Sequence, residues 1–462
     1  MKSKSAVWIV LGLMSGWSAM ATNVYVVPPG TPGATPSAPY TSWDTAATNI
    51  ADAVNAINIT DGNIVFISNG TYKLSDEIVV DKGVVLRSWN DGQTDRDGTI
   101  IDGNNYEGKP VTNRVISLKH AEAVLDGLTI RGGQLIANHG AGIAMFQSLM
   151  ITNCAIVSNV GMGRYGGGIW VPGNREVGVI THCLIASNIA SQGGGVFFAD
   201  SATGRVEYCQ ILTNQATDAS NLGGGGIQVN RGGDGNVVAR NCLIAHNSSG
   251  GSGGGVSLLY SGVIENCLIV SNYAAGTSAF PGAGVVLYNN GIAGVPVLRN
   301  CLVQGNTGAI GKGAVGVWVG SALPCNEVAA HIENCTIVDN PNVRGYYRKN
   351  NGSPTSEAHV VNTIIYGHEL DMHTYTRTYF TNCLSSIALP GENNITNVAP
   401  TFVDGYRLAS DSAGVNDGLN QAWMTESGVK DLDGKTRIDR FSGKVDMGCY
   451  EYLPRGTAFS LR

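Results

Sequence analysis

Between residues 344 and 380 the stretch RGYYRKNNGSPTSEAHVVNTIIYGHELDMHTYTRTYF holds arginine, lysine, histidine and tyrosine far more densely than the rest of the chain. Cleaving a uronic acid polymer by elimination requires a base for the proton beside the carboxylate and a cation for the enolate that forms. Arg348, Lys349, His359, His373, Tyr375 and Arg377 supply those types and make up the candidate catalytic set. The same stretch also reads as a polar rim or a partner surface. No cofactor is expected, except that elimination chemistry would give calcium a role. Hydrolysis would instead place two or three carboxylates around one bond, yet Glu176, Asp200, Asp234 and Glu333 come singly with no Asp-Asp pair. Elimination is therefore the better enzymatic reading. The DLDG run at Asp431 to Gly434 begins like a calcium loop, but Lys435 takes the next alternate position and Ser442 the twelfth, where a glutamate belongs. A hydrogen-bonded turn is expected there, and no Ser-His-Asp set, phosphate loop or redox motif is present.

A second kind of chemistry is suggested by aromatic residues on strands that follow glycine runs: GAGIAMF, GGGIWV, GGGVFF, GGGIQV, GGGVSL, GAGVVL and AVGVWV. Alternation sends the middle residue of each outward, giving a column that includes Trp170, Phe197, Gln228 and Trp318, with Tyr288 two places further along its own strand. Stiff, amphipathic rings exposed on a flat sheet suit the apolar faces of sugars. These five residues are the candidate glycan-binding set, against the plainer expectation of rings shielded by a neighbouring loop or exposed singly.

Both sets must be carried by a repeat. Cys154, Cys183, Cys209, Cys242, Cys267, Cys301 and Cys335 recur every 25 to 34 residues, each with an aliphatic residue two places on and an asparagine five places on. Such a period means a solenoid, and glycine with β-branched content rather than LxxLxL frames means a parallel β-helix. The cysteine and the aliphatic residue face inward together on a short strand. Each asparagine marks a bend, where it tolerates left-handed backbone and can bond the amide in the next coil. Coils about 4.8 Å apart keep the cysteines too far from one another for disulfides, so a column of buried thiols is expected. Thr363 and Cys383 continue that column, Leu128 begins it, and His368 falls in the asparagine column. Cys325 and Cys449 lie outside it. The fold expected is all-β: a right-handed parallel β-helix of about a dozen coils, right-handed by the crossover rule.

The ends read differently. Residues 44 to 57 show helical spacing at Ile50, Ala53, Val54 and Ile57 with Asp44 as N-cap, which gives a short N-terminal capping helix. Lys2, Lys4, an apolar run from Ala6 to Met14 and Ala19-Met20-Ala21 make residues 1–21 a signal peptide. No membrane span is expected after its cleavage, and the mature chain is expected to be secreted or held at a bacterial cell surface. With 29 basic against 35 acidic residues and a net charge of -6, nucleic acid is not an expected partner. The partner expected is a polysaccharide or a cell-surface component.

Residues 22–390 are assigned to the N-terminal cap and helix, and 391–462 to a C-terminal cap module. Within that module APTFVDGYRLASDSAGVNDG and KDLDGKTRIDRFSGKVDMGCYEY resemble the C-terminal region of secreted bacterial β-helix repeat proteins of the choice-of-anchor Q type, and the coils are similar to the pectate-lyase-like superfamily. Pro400, Phe402, Tyr406, Leu408, Asp431, Gly434, Arg437, Asp446, Gly448 and Glu451 carry the likeness. Asn416 and Cys449 depart from it, standing where an acid and an alanine are expected. The resemblance implies fold and export, with no single reaction attached. Arg437, Asp446 and Glu451 are expected to form a structural ion network.

Overall fold

The computed structural model describes residues 23–57, 61–104, 113–173, 176–219, 222–230, 237–276, 282–289, 294–309, 315–322, 328–341, 344–351, 356–368, 370–374 and 377–452. The proposed signal peptide, Tyr375 and Cys325 lie outside the described residues. The coils run through four parallel sheets in chain order, called I to IV here, with 14, 13, 7 and 11 strands, sheet III being confined to the central coils. One circuit runs through Met150–Thr152 in sheet I, Ala155–Val157 in sheet II, Val160–Tyr165 in sheet III and Ile169–Val171 in sheet IV.

Register follows the sequence repeat. Ile156 stands opposite Ile185, Ile185 opposite Ile211, and the series continues to Ile365. These residues and the cysteines belong to one continuous interior cluster, so alternation alone decides what is buried. The cysteines are free and buried, Cys449 among them. In the column the Sγ atoms donate to main-chain oxygens, as Cys183 does to Thr181 at 3.2 Å, and burial raises the thiol pKa of Cys183, Cys267 and Cys301.

The asparagines form a ladder. Asn188 Nδ2 donates to Asn214 Oδ1 at 2.9 Å and to the Ile156 carbonyl at 2.9 Å, and the pattern repeats through Asn306 to Asn340 at 3.0 Å. His368 takes the next rung, 3.0 Å from Asn340 Nδ2. The left-handed conformation, however, belongs to the residue before each asparagine, as at Ser158, Ser187, Thr213 and His246. The asparagine keeps ordinary backbone and spends its amide inward. The last glycine of each run makes this possible, since a Cβ on Gly226 would meet Asn247 Nδ2 of the following coil at 3.0 Å.

The capping helix spans Ile50–Ala56, later than its sequence suggests, because Asn49 rather than Asp44 caps it by accepting from Ala51 N–H. Ile50, Ala53 and Val54 are buried against the first coil. The C-terminal segment also differs from expectation. The strands Gly391–Glu392 and Ile395–Thr396 still pair within sheets I and II. The chain then runs back along the flank, packing Phe402, Leu408, Met447 and Tyr450 over Leu302, Val338, Ile364 and Leu384 on the outer face of sheet II. It is a side cover rather than a plug.

Candidate glycan-binding site on the outer face of sheet IV

The column predicted from the glycine-run strands does face away from the interior, with Trp170 opposite Phe197, Phe197 opposite Gln228, and Val286 opposite Trp318. Its exposure is the part that fails. Phe197, Gln228 and Trp318 are 1%, 1% and 0% exposed. Tyr165, at the end of its sheet III strand, stacks on Phe197 with centroids 4.7 Å apart. Gln228 is tied to Gln192 at 3.0 Å and to Gly224 N–H at 3.1 Å. Trp318 packs with Leu259, Val286 and Val315 in a separate outer cluster, lying so close over Gly320 that a Cβ there would strike its ring. Tyr288 stacks beside it at 6.1 Å and stays half-buried. The neighbouring turns fold over the sheet, which the strand pattern by itself does not reveal.

Trp170, like Tyr288, remains partly accessible, and it does not stand alone. His139 lies 4.9 Å from it and stacks on Tyr165 at 4.8 Å, while Phe146 meets the indole edge-on at 5.6 Å. Arg114 and Lys119 approach the Phe146 ring at 5.9 and 6.0 Å. Arg114 is fixed by Glu77 at 3.0 Å and by the His139 carbonyl at 2.6 Å; Ser117 bonds the same Glu77 carboxylate. Burial first, then the Arg164 and Arg114 charges, hold the His139 pKa below its ordinary value. Its Nδ1 accepts Tyr165 N–H at 3.2 Å, so Nε2 carries the remaining ring proton and can donate. Three carbocyclic or indole rings, a neutral imidazole donor and two cations thus border one patch. His139, Tyr165, Phe146 and Arg114 precede the glycine-run strands or sit at their ends, and only a known register could have grouped them with Trp170.

The candidate catalytic residues are not brought to one place. Arg348 stands opposite Val319 in the inward register and is 1% exposed, donating to the Ser356 carbonyl at 2.7 Å and hydroxyl at 3.0 Å. This corrects its reading as an accessible cation: alternation along Arg344–Asn351 sends Tyr346 and Arg348 into the core while Lys349 faces out on sheet IV. His359 and Arg377 lie on sheet I instead, with Tyr379 opposite His359. Arg377 and Tyr379 both bond Glu357 Oε1, at 3.5 and 3.2 Å, with His359 3.7 Å from the other oxygen. One carboxylate absorbs the polarity of all three groups. His373 sits in the strand Leu370–Thr374 of sheet IV, opposite Tyr347; its side chain, like Tyr375, lies outside the described residues. Of the carboxylates, Glu333 pairs with Arg299 at 2.7 Å and Asp200 with Asn230 at 2.6 Å. Asp234 and the Glu176 side chain are outside the described residues. No group of three or more His, Cys, Asp or Glu is placed to hold a metal ion among the described residues.

Asp431 serves its turn, accepting from Asp433 and Lys435 N–H at 2.9 and 2.7 Å. Arg437 and Glu451 pair at 3.0 Å with both side chains fully buried, and Asp446 accepts from Asn416 N–H at 2.7 Å.

Residues 114–292 match the family described as the right handed beta helix region. The chain is a right-handed parallel β-helix. Among solved structures this β-helix is similar to pectate lyase Pel9A, at 14% identity and a TM-score of 0.49 over 95% of this chain and 98% of that one. It is also similar to the catalytic unit of a thermostable GH87 alpha-1,3-glucanase from Streptomyces thermodiastaticus strain HF3-3, at 15% identity and a TM-score of 0.43 over 78% and 63%. A third likeness, at 14% identity and a TM-score of 0.37 over 93% and 100%, is to a rhamnogalacturonan lyase. A search of curated proteins found no match to the sequence. No helix among the described residues is long and apolar enough to cross a membrane.

Proposed function

We propose that the protein is an exported β-helix that binds polysaccharide, and that the chain docks on the outer face of sheet IV at Trp170. The carrying observation is the ring cluster itself. Trp170 stays partly exposed while His139 and Phe146 pack against it at 4.9 and 5.6 Å and Tyr165 stacks on His139 at 4.8 Å, so its face is held rigid and costs little entropy to present. Lys119, exposed at the rim, adds a donor for hydroxyl or carboxylate groups. Export rests on the sequence of residues 1–21.

Binding is favoured over cleavage because Arg348 is interior and, on sheet I, Arg377 and Tyr379 are engaged by Glu357. The test is retention of the mature protein on immobilised acidic and neutral polysaccharides, with Trp170→Ala and Tyr165→Ala beside it. Each variant is expected to bind about tenfold more weakly, the equivalent of ~1.4 kcal/mol. Unchanged retention of both removes sheet IV as the docking face. Unsaturated or reducing ends released in the same incubations would show turnover and refute a purely binding role.

A further inference from the structure

The turn from sheet I to sheet II repeats one backbone feature in nine coils. The residue just before the cysteine column is left-handed from Asn153 to Asn382, with φ between 50 and 55°. Asparagine fills seven of these positions, as its short amide suits that conformation. The exceptions are His182 and Tyr208, in adjacent coils, both at φ 53°. A left-handed tyrosine is strained by the order of 1 kcal/mol or more, and such strain persists where something else maintains it.

Burial does not maintain it here. Tyr208 is 53% exposed, and its ring lies flat on His182 with centroids 5.1 Å apart and planes 18° from parallel. The imidazole is itself oriented by Thr181, whose hydroxyl is 2.9 Å from Nδ1. The two rings form a step facing water. Arg205 and Gln210 are exposed on either side of Tyr208, and Glu207 between them is engaged by Arg240 at 2.9 Å and more loosely by Arg205 at 3.7 Å. The same corner further along is already a binding surface: Asn300, Asn334, Asn362 and Asn382 donate to main-chain oxygens of Lys430, Asp446, Leu419 and Asp417. Among the described residues, no bond from that cover reaches His182 or Tyr208.

We propose that His182 and Tyr208 form a second sugar platform, separate from Trp170. It takes the apolar face of a pyranose unit on the stacked rings, while Arg205 and Gln210 donate to the hydroxyls. This rests on the polysaccharide-binding reading and adds a contact on a different side of the coil.

The test replaces each ring by the residue that the other coils use, in Tyr208→Asn and His182→Asn, and compares Tyr208→Phe. Binding to the polysaccharide that retains the wild type, and the melting temperature, are measured for each. The proposal expects Tyr208→Asn to bind at least about fivefold more weakly while melting no lower than wild type, because asparagine relieves the backbone; Tyr208→Phe should keep most of the binding. Unchanged binding in both asparagine variants overturns the platform and leaves the Trp170 site standing. A clear fall in melting temperature in Tyr208→Asn also overturns it, because the tyrosine would then be structural. Failure of the wild type to bind any polysaccharide sinks both readings together.

Discussion

Two turns of the same coil obey opposite rules. At the bend between sheets II and III the asparagine side chain is buried and bonded to its neighbours above and below, from Asn159 to Asn340. At the turn between sheets I and II the backbone repeats just as faithfully, yet its side chains face outward, and two of the nine depart from asparagine. Under the C-terminal segment they are asparagines bonded to its main chain; in the bare coils two are stacked rings. Repetition enforced by buried hydrogen bonds leaves no choice of residue. Repetition of backbone alone leaves side chains free for recognition.

Breaking the cover should have the largest effect. Arg437→Leu leaves Glu451 buried without its cation and removes the bond from Arg437 to Asn300 at 3.2 Å. Stripping the buried acceptors on Asn300, Asp446 and Gly448 of their donor is expected to cost that segment ~3 kcal/mol or more, read by limited proteolysis as release of residues beyond 399 with the coils still protected. Asn247→Ala comes next. It strips partners from Asn214, Asn272 and the Ile211 carbonyl, and ~3 kcal/mol of stability should go, measured by denaturant unfolding. Equal stability would mean that the ladder is ornamental.

A pH effect should follow from the cover alone. Burial raises the Glu451 pKa from 4.5 to about 9 despite Arg437, and burial also raises Asp446 and Asp431. For these groups the folded state retains protons that the unfolded chain releases, so the Glu451 contribution is full below about pH 4.5 and is lost as pH rises toward 9, whereas Asp433 and Asp439, held below the usual carboxylate range by Arg407 and by the Phe441 N–H respectively, contribute in the opposite sense as pH falls. Melting temperature should drop across that range, and drop less in Glu451→Gln. The smallest change expected is at His246, beside Asn247 but exposed and left-handed at φ 56°. His246→Asn should stabilise by less than about 1 kcal/mol, the reverse of what its neighbour shows. A loss of stability there would dissolve the contrast between buried and outward turn residues.

Much of this was legible in the chain. The cysteine-aliphatic-asparagine spacing gave strand, inward face and bend, because an interior column tolerates few residue types. It misplaced the left-handed residue by one, since both Ser158 and Asn159 can adopt that conformation and only the amide bonds decide which does. The aromatic column was read with the right direction and the wrong exposure, because Tyr165 and Gln192 reach over it from another sheet. Arg348 was read as outward on charge alone, against an alternation that its strand shares with Val317 and Val319.

Sequence by itself determined the β-helix, its period, the thiol column and the inward asparagines, because each coil meets only identical neighbours and local pattern becomes global structure. Tertiary structure alone decided which rings reach water and where the C-terminal segment lies. Those outcomes depend on contacts such as Tyr406 to Asp339 at 2.7 Å and Arg437 to Asn300 at 3.2 Å, across separations that no repeat encodes.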